Sequence, residues 1–171
     1  EQLIPLVSHS AVTEVILNAY FYSARISHIQ GNKHKSKRLL DQLERILSLG
    51  DYQRFNCQII HERMRQALQE KTKHTVDHLY QHYQLAQISQ QGVWCESQMY
   101  EEHRERLALA SAYALISKGL FEQAHNILKQ VVIVLDRQHL PSRALITRSN
   151  IAMIAFRQGN KEDALRQLKR L

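Results

Sequence analysis

Residues 152–171 read "AMIAFRQGNKEDALRQLKRL", and Gly159 stands in it with Ala152 seven positions before, Ala164 five after and Leu168 nine after. The same arrangement surrounds Gly119 in "AYALISKGLFEQAHNILKQV", residues 112–131, with Ala112, Ala124 and Leu128. It surrounds Gly31 as well, in "ARISHIQGNKHKSKRLLDQL", residues 24–43, with Ala24, Ser36 and Leu40. A glycine adopts the left-handed backbone that ends a helix at no steric cost, and a helix resuming within a few residues folds back on its predecessor. Small residues on both sides let the two helices approach closely. Each stretch therefore predicts an antiparallel helical hairpin.

Gly31 and Gly119 lie about twice as far apart as Gly119 and Gly159, so a degenerate unit is expected between them. "QIIHERMRQALQEKTKHTVDHLYQHY", residues 58–83, supplies it if Lys71 takes the glycine position, with Ile60, Met64, Ala67, Val76, Tyr80 and Tyr83 at apolar offsets. The spacings are then 40 (31 to 71), 48 (71 to 119) and 40 (119 to 159). The surplus of the middle interval falls in "AQISQQGVWCESQ", residues 86–98, read as a loop or distorted turn. Helices are expected over 10–30, 33–49, 51–69, 72–86, 98–118, 120–138, 141–158 and 161–171, with Pro141 in the first turn of the seventh, where its missing N–H costs nothing.

Composition agrees with an all-α chain. Only 2 prolines and 5 glycines in 171 residues are too few for a protein of many β-turns, while 44% hydrophobic residues suffice for a core. No apolar run reaches the length of a membrane span, and the N-terminus "EQLIPLVSHS" lacks the pattern of a signal peptide. The chain does not start with Met and reads as a piece of a longer one. Cys57 and Cys95 are far apart with no CxxC spacing, which suits a reducing cytoplasm.

The offsets of Ala, Gly, Ala and a large apolar residue resemble the tetratricopeptide repeat, whose unit is about 34 residues long; the units here are nearer 40. Longer units of this kind look like the helical sensor region of the large MalT-like, LuxR-type bacterial transcriptional activators. "SARISHIQGNKHKSKRLLDQLERI" and "LALASAYALISKGLFEQAHNILKQ" carry the resemblance best. It implies that residues 1–171 form a single TPR-like superhelix of about four hairpins, an α-solenoid. It also implies a cytoplasmic location between an ATPase and a DNA-binding domain of the same full-length chain, and a role in sensing an effector or partner. This segment itself contains no GxxxxGK[ST] loop and no recognition helix. The other reading is a constitutive protein-interaction scaffold of the tetratricopeptide type, without a small-molecule ligand.

In such an array the first helix of each hairpin lines the concave binding face. Transferring the groove offsets places Asn18, Phe21, Arg25 and His28 there from the first helix, and Gln58, His61 and Arg65 from the third. The fifth contributes Arg106, Leu109 and Tyr113, and the seventh Ser149, Met153 and Phe156. Amides and guanidinium groups hold hydroxyls or carboxylates, and the aromatic faces cover apolar edges. Arg25 and Arg65 occupy equivalent offsets, as do Asn18 and Gln58, which would suit an extended polar or anionic ligand.

Other chemistries find less support. His74, His78 and His82 share a helix face, but the spacing gives an exposed polar stripe more readily than a metal site. The net charge of +7 is densest in "KHKSKR", residues 33–38, yet the remaining cations are interspersed with acids, so no sequence-specific nucleic-acid contact is expected. No nucleophile, base and orienting group stand in a catalytic spacing, and no cofactor is expected. Trp94 reads as a cover over the long loop rather than a substrate platform.

Overall fold

The computed structural model describes the backbone at residues 10–48, 53–86 and 101–171 and the side chains at 13–48, 55–86 and 105–171. Eight α-helices occupy the described residues: α1 (Ser10–Ile29), α2 (Lys33–Leu47), α3 (Gln53–Gln69), α4 (Lys73–His82), α5 (Glu101–Ser117), α6 (Phe121–Arg137), α7 (Pro141–Arg157) and α8 (Lys161–Lys169). No strand is found among them.

The hairpin turns follow the sequence pattern closely. Gly31, Gly119 and Gly159 have φ of +81°, +77° and +86°, and Lys71 stands in the same left-handed region at +56°. The residue after each glycine or lysine donates its N–H five residues back: Asn32 to Ser27 O, Thr72 to Ala67 O, Leu120 to Leu115 O and Asn160 to Ala155 O. These bonds close the ends of the helices with carbonyls that would otherwise lack partners. At two turns the next helix is capped at once, since the Asn32 and Asn160 side chains accept the N–H of Lys35 and Asp163, each at 3.2 Å. This explains why "QGNK" occurs twice: Gly ends one helix and Asn starts the next.

Two left-handed residues are not marked in the sequence, although the expected helices 120–138 and 141–158 already leave a turn at 139–140. His139 adopts φ +56° between α6 and α7, with Leu140 N–H bonded to Leu135 O, so the chain turns at 119, 139 and 159 with a 20-residue period. The expected fourth helix, 72–86, stops at His82 because Gln84 enters the left-handed region at φ +50°, and helical backbone resumes at Leu85. The expected loop over 86–98 and Trp94 fall, apart from Ala86, outside the described residues.

Contacts gather into two compact units, residues 1–62 and 63–171, where the sequence pattern reads as one domain. In the first, Leu17, Phe21 and Ala24 of α1 pack with Leu40, Leu43 and Leu47 of α2 and with Phe55 and Ile59 from the first part of α3. In the second, α4 packs on α5, α5 on α6, α6 on α7 and α7 on α8. The small residues at the recurring offsets, Ala24, Ala112, Ala152, Ser36, Ala124 and Ala164, are all buried. Helix α5 is buried on every side from Ala108 to Ile116, as expected of a helix with apolar or small residues all round. By contrast, α6 buries one stripe, Ala124, Ile127, Leu128, Val131 and Leu135.

Candidate functional site

The fullest polar arrangement joins the first helices of two hairpins in the second unit. Arg143 of α7 pairs with the buried carboxylate of Glu105 on α5. Eight residues further along α5, the Tyr113 hydroxyl lies 3.4 Å from Asn150 Oδ1 of α7. Two such links, in the same order along both helices, hold α5 and α7 side by side and parallel. Asn150 Nδ2 and Ser149 Oγ each donate to Ile146 O, at 3.1 and 2.7 Å, so both side chains are anchored to their own helix. Arg148 reaches Asp136 of α6 at 2.6 Å and fastens α7 to its other neighbour.

Between these links lies Arg106, half-buried, whose Nε is buried with no hydrogen-bond partner. A guanidinium offers five donors in a rigid plane, and a buried donor without an acceptor is costly. The buried Nε is out of a ligand's reach, so a ligand would meet this half-buried side chain through its terminal nitrogens. Met153 is half-buried and Phe156 exposed on α7, so apolar surface continues along the same helix.

The remaining candidates divide by environment. Phe21 belongs to the core of the first unit, and His61, Leu109 and Tyr113 are buried. Phe21 and Leu109 are thus packing residues rather than exposed groove residues: the offset that faces a ligand in the resemblance faces neighbouring side chains here. Asn18, Arg25, His28 and Gln58 are half-buried in the first unit. Arg65, half-buried in the second, donates to Gln69 Oε1 at 2.9 Å one helical turn on. Arg25 and Arg65 belong to separate units, each with its own surroundings.

Outside this face several polar groups fasten neighbouring elements. Lys118 Nζ pairs with Asp77 at 3.3 Å and sits 4.1 Å from the centre of the Tyr80 ring, fastening α5 to α4. Ser111 Oγ donates to Leu85 O at 3.3 Å, which accounts for the hydroxyl buried in α5. Burial, then the Lys129 ammonium, lower the pKa of His125 from its ordinary 6.5, with Asp163 acting in the opposite direction. His74, His78 and His82 are exposed, with the last two rings stacked at 5.9 Å, and no metal-holding group of three or more occurs among the described residues. The basic stretch 33–38 forms the start of α2, exposed except for Ser36. No described helix is long and apolar enough to cross a membrane.

No known protein family, curated protein or solved structure matches this chain. What the residues define is a class: an all-α chain of consecutive helices closed by recurring left-handed turns.

Proposed function

We propose that the chain is a binding segment built as a TPR-like helical-repeat array, with its ligand or partner held on the face of the first helices. The observation that carries this reading is the side-by-side setting of α5 and α7 through Glu105–Arg143 and Tyr113–Asn150, with the half-buried guanidinium side chain of Arg106 between them along α5. Side-by-side first helices are how tetratricopeptide-like arrays make a binding surface. Arg106 suits an anionic or polyhydroxylated effector, or an acidic segment of a protein partner. In the first unit, Asn18, Arg25 and His28 offer the same kinds of donor.

The resemblance to MalT-like, LuxR-type activators extends the proposal. The array is a sensor, and occupation of the first-helix face favours one arrangement of helices over another. That preference is passed to an ATPase and a DNA-binding domain in the same polypeptide. A ligand shifts such an equilibrium only by its differential affinity for the two arrangements. The segment itself is not an enzyme on this reading.

Two experiments test it. A thermal-shift screen with sugars, nucleotides and acidic peptides should find a ligand that raises the melting temperature. Arg106→Ala should abolish that rise while leaving the unliganded melting temperature within about 2 °C. A hit that survives Arg106→Ala moves the site elsewhere, and Arg25→Ala and Arg65→Ala then test the other two donors. The full-length coding sequence decides the regulator part: a Walker A loop upstream and a helix-turn-helix downstream support it, and the lack of both leaves the scaffold reading.

A further inference from the structure

The last hairpin presents apolar side chains whose counterparts one repeat earlier are covered. Leu168 on α8 corresponds to Leu128 on α6, forty residues before; the first is 48% exposed and the second 0%. Leu171 corresponds to Val131, at 44% against 0%, and Phe156 on α7 to Ile116 on α5, at 56% against 2%. Leu165, also on α8, is exposed too. The difference has one source in the packing. Helix α6 packs extensively on both α5 and α7, whereas the extensive packing of α8 among the described residues is against α7.

The interior of the unit therefore specifies what completes the face. In chain order the helix packed on α6 after α5 is α7, which joins α6 through Arg148 and Asp136. Toward its C-terminal end α8 exposes Arg166 and Lys169, and Arg170 follows at its cap, also exposed. We propose that the exposed surface of α7 and α8 is the docking face for the next helix of the same array, an amphipathic helix of the α7 type with acidic residues opposite Arg166, Lys169 and Arg170. This rests on the repeat-array part of the proposed function, but on neither its ligand nor its regulatory role. A second copy docking through the same face would bring those cations together, so the next helix of the array is the occupant that the charges favour.

The repeat itself provides the probe. Leu171 occupies the register of Val131, so the full 171-residue chain continued by a copy of residues 132–171 adds one 40-residue unit in phase. The added unit should fold and raise the melting temperature. Leu168→Asp should shift the original chain by no more than about 2 °C and the extended chain by about 5 °C or more, since only there is the side chain buried. Hydrogen exchange gives a second measurement: amides of 161–171 should exchange at least tenfold more slowly in the extended chain. Equal effects of Leu168→Asp in both chains, or unchanged exchange in 161–171, would overturn the proposal. So would concentration-dependent dimerisation of the original chain that Leu168→Asp or Phe156→Asp abolishes, because the occupant would then be a second copy. Thermal-shift binding through Arg106 is unaffected by any of these results, so the two readings fail separately.

Discussion

Lys71 holds a left-handed backbone, φ +56°, in a turn where three sister positions have glycine. For an L-residue this conformation costs roughly 1–2 kcal/mol, and the Lys71 side chain is exposed, so nothing in its surroundings requires it. Lys71→Gly should therefore raise stability by about 0.5–1 kcal/mol after the glycine's extra unfolded-state entropy is subtracted. The check is the midpoint of a urea titration at unchanged slope. A lowered midpoint would mean that the lysine side chain contributes more than its backbone costs. At Gly119, by contrast, an added Cβ would meet nothing within 4 Å, so Gly119→Ala would act through the backbone alone. Cys57 is decided by burial in the opposite way. Desolvation raises its pKa to about 11 against a lowering backbone hydrogen bond, so the reactive thiolate is scarce at pH 8. In a Cys95→Ser background, Cys57 should react with a disulfide reagent far more slowly in buffer than in denaturing urea. Equal rates would contradict its burial.

At the level of elements, the unit of construction is a helix of about four to five turns ended by a left-handed residue and followed at once by the next helix. Helices α5, α6 and α7 each span 17 residues and start 20 residues apart. Close approach depends on the small side chain five residues after each glycine turn, Ser36, Ala124 or Ala164, which is buried in all three. Ala124 lies at the joint of α5 and α6 with no exposed surface. Ala124→Leu should destabilise the chain by about 1–3 kcal/mol, because added methylenes enter a filled contact. Chemical denaturation measures it, and an unchanged midpoint would show that the joint has room the packing does not suggest. The degenerate hairpin shows the tolerance of the pattern: Met64 and Val76 take the two small-residue offsets and are still fully buried.

At the scale of the whole molecule, contacts form between neighbouring helices and collect in two units. Stability of such a chain is close to a sum of local interfaces, so the units need not unfold together. Hydrogen exchange at rising urea should release the amides of α1 and α2 and those of α5 to α7 at different denaturant concentrations. A single coincident release would show one cooperative molecule instead. The candidate binding face belongs to this scale too. It depends on α5 and α7 being brought alongside each other by residues 38 and 37 positions apart, Glu105 with Arg143 and Tyr113 with Asn150.

The sequence by itself determined where the chain is helical and where it turns, even at Lys71, because helix endings are local. They depend on one left-handed residue and on small or apolar residues at fixed offsets within one turn region. It did not single out His139 or Gln84 as the left-handed residues, since both types are far commoner in helical or extended backbone than in that region. Nor did it separate binding from packing at equivalent offsets. Ile116 is buried while Phe156 is exposed, and Leu128 is covered while Leu168 is open. Only the tertiary structure decides those, because the burial of a side chain is a property of the neighbouring helix, and the same offset is inside or outside according to whether that neighbour is there.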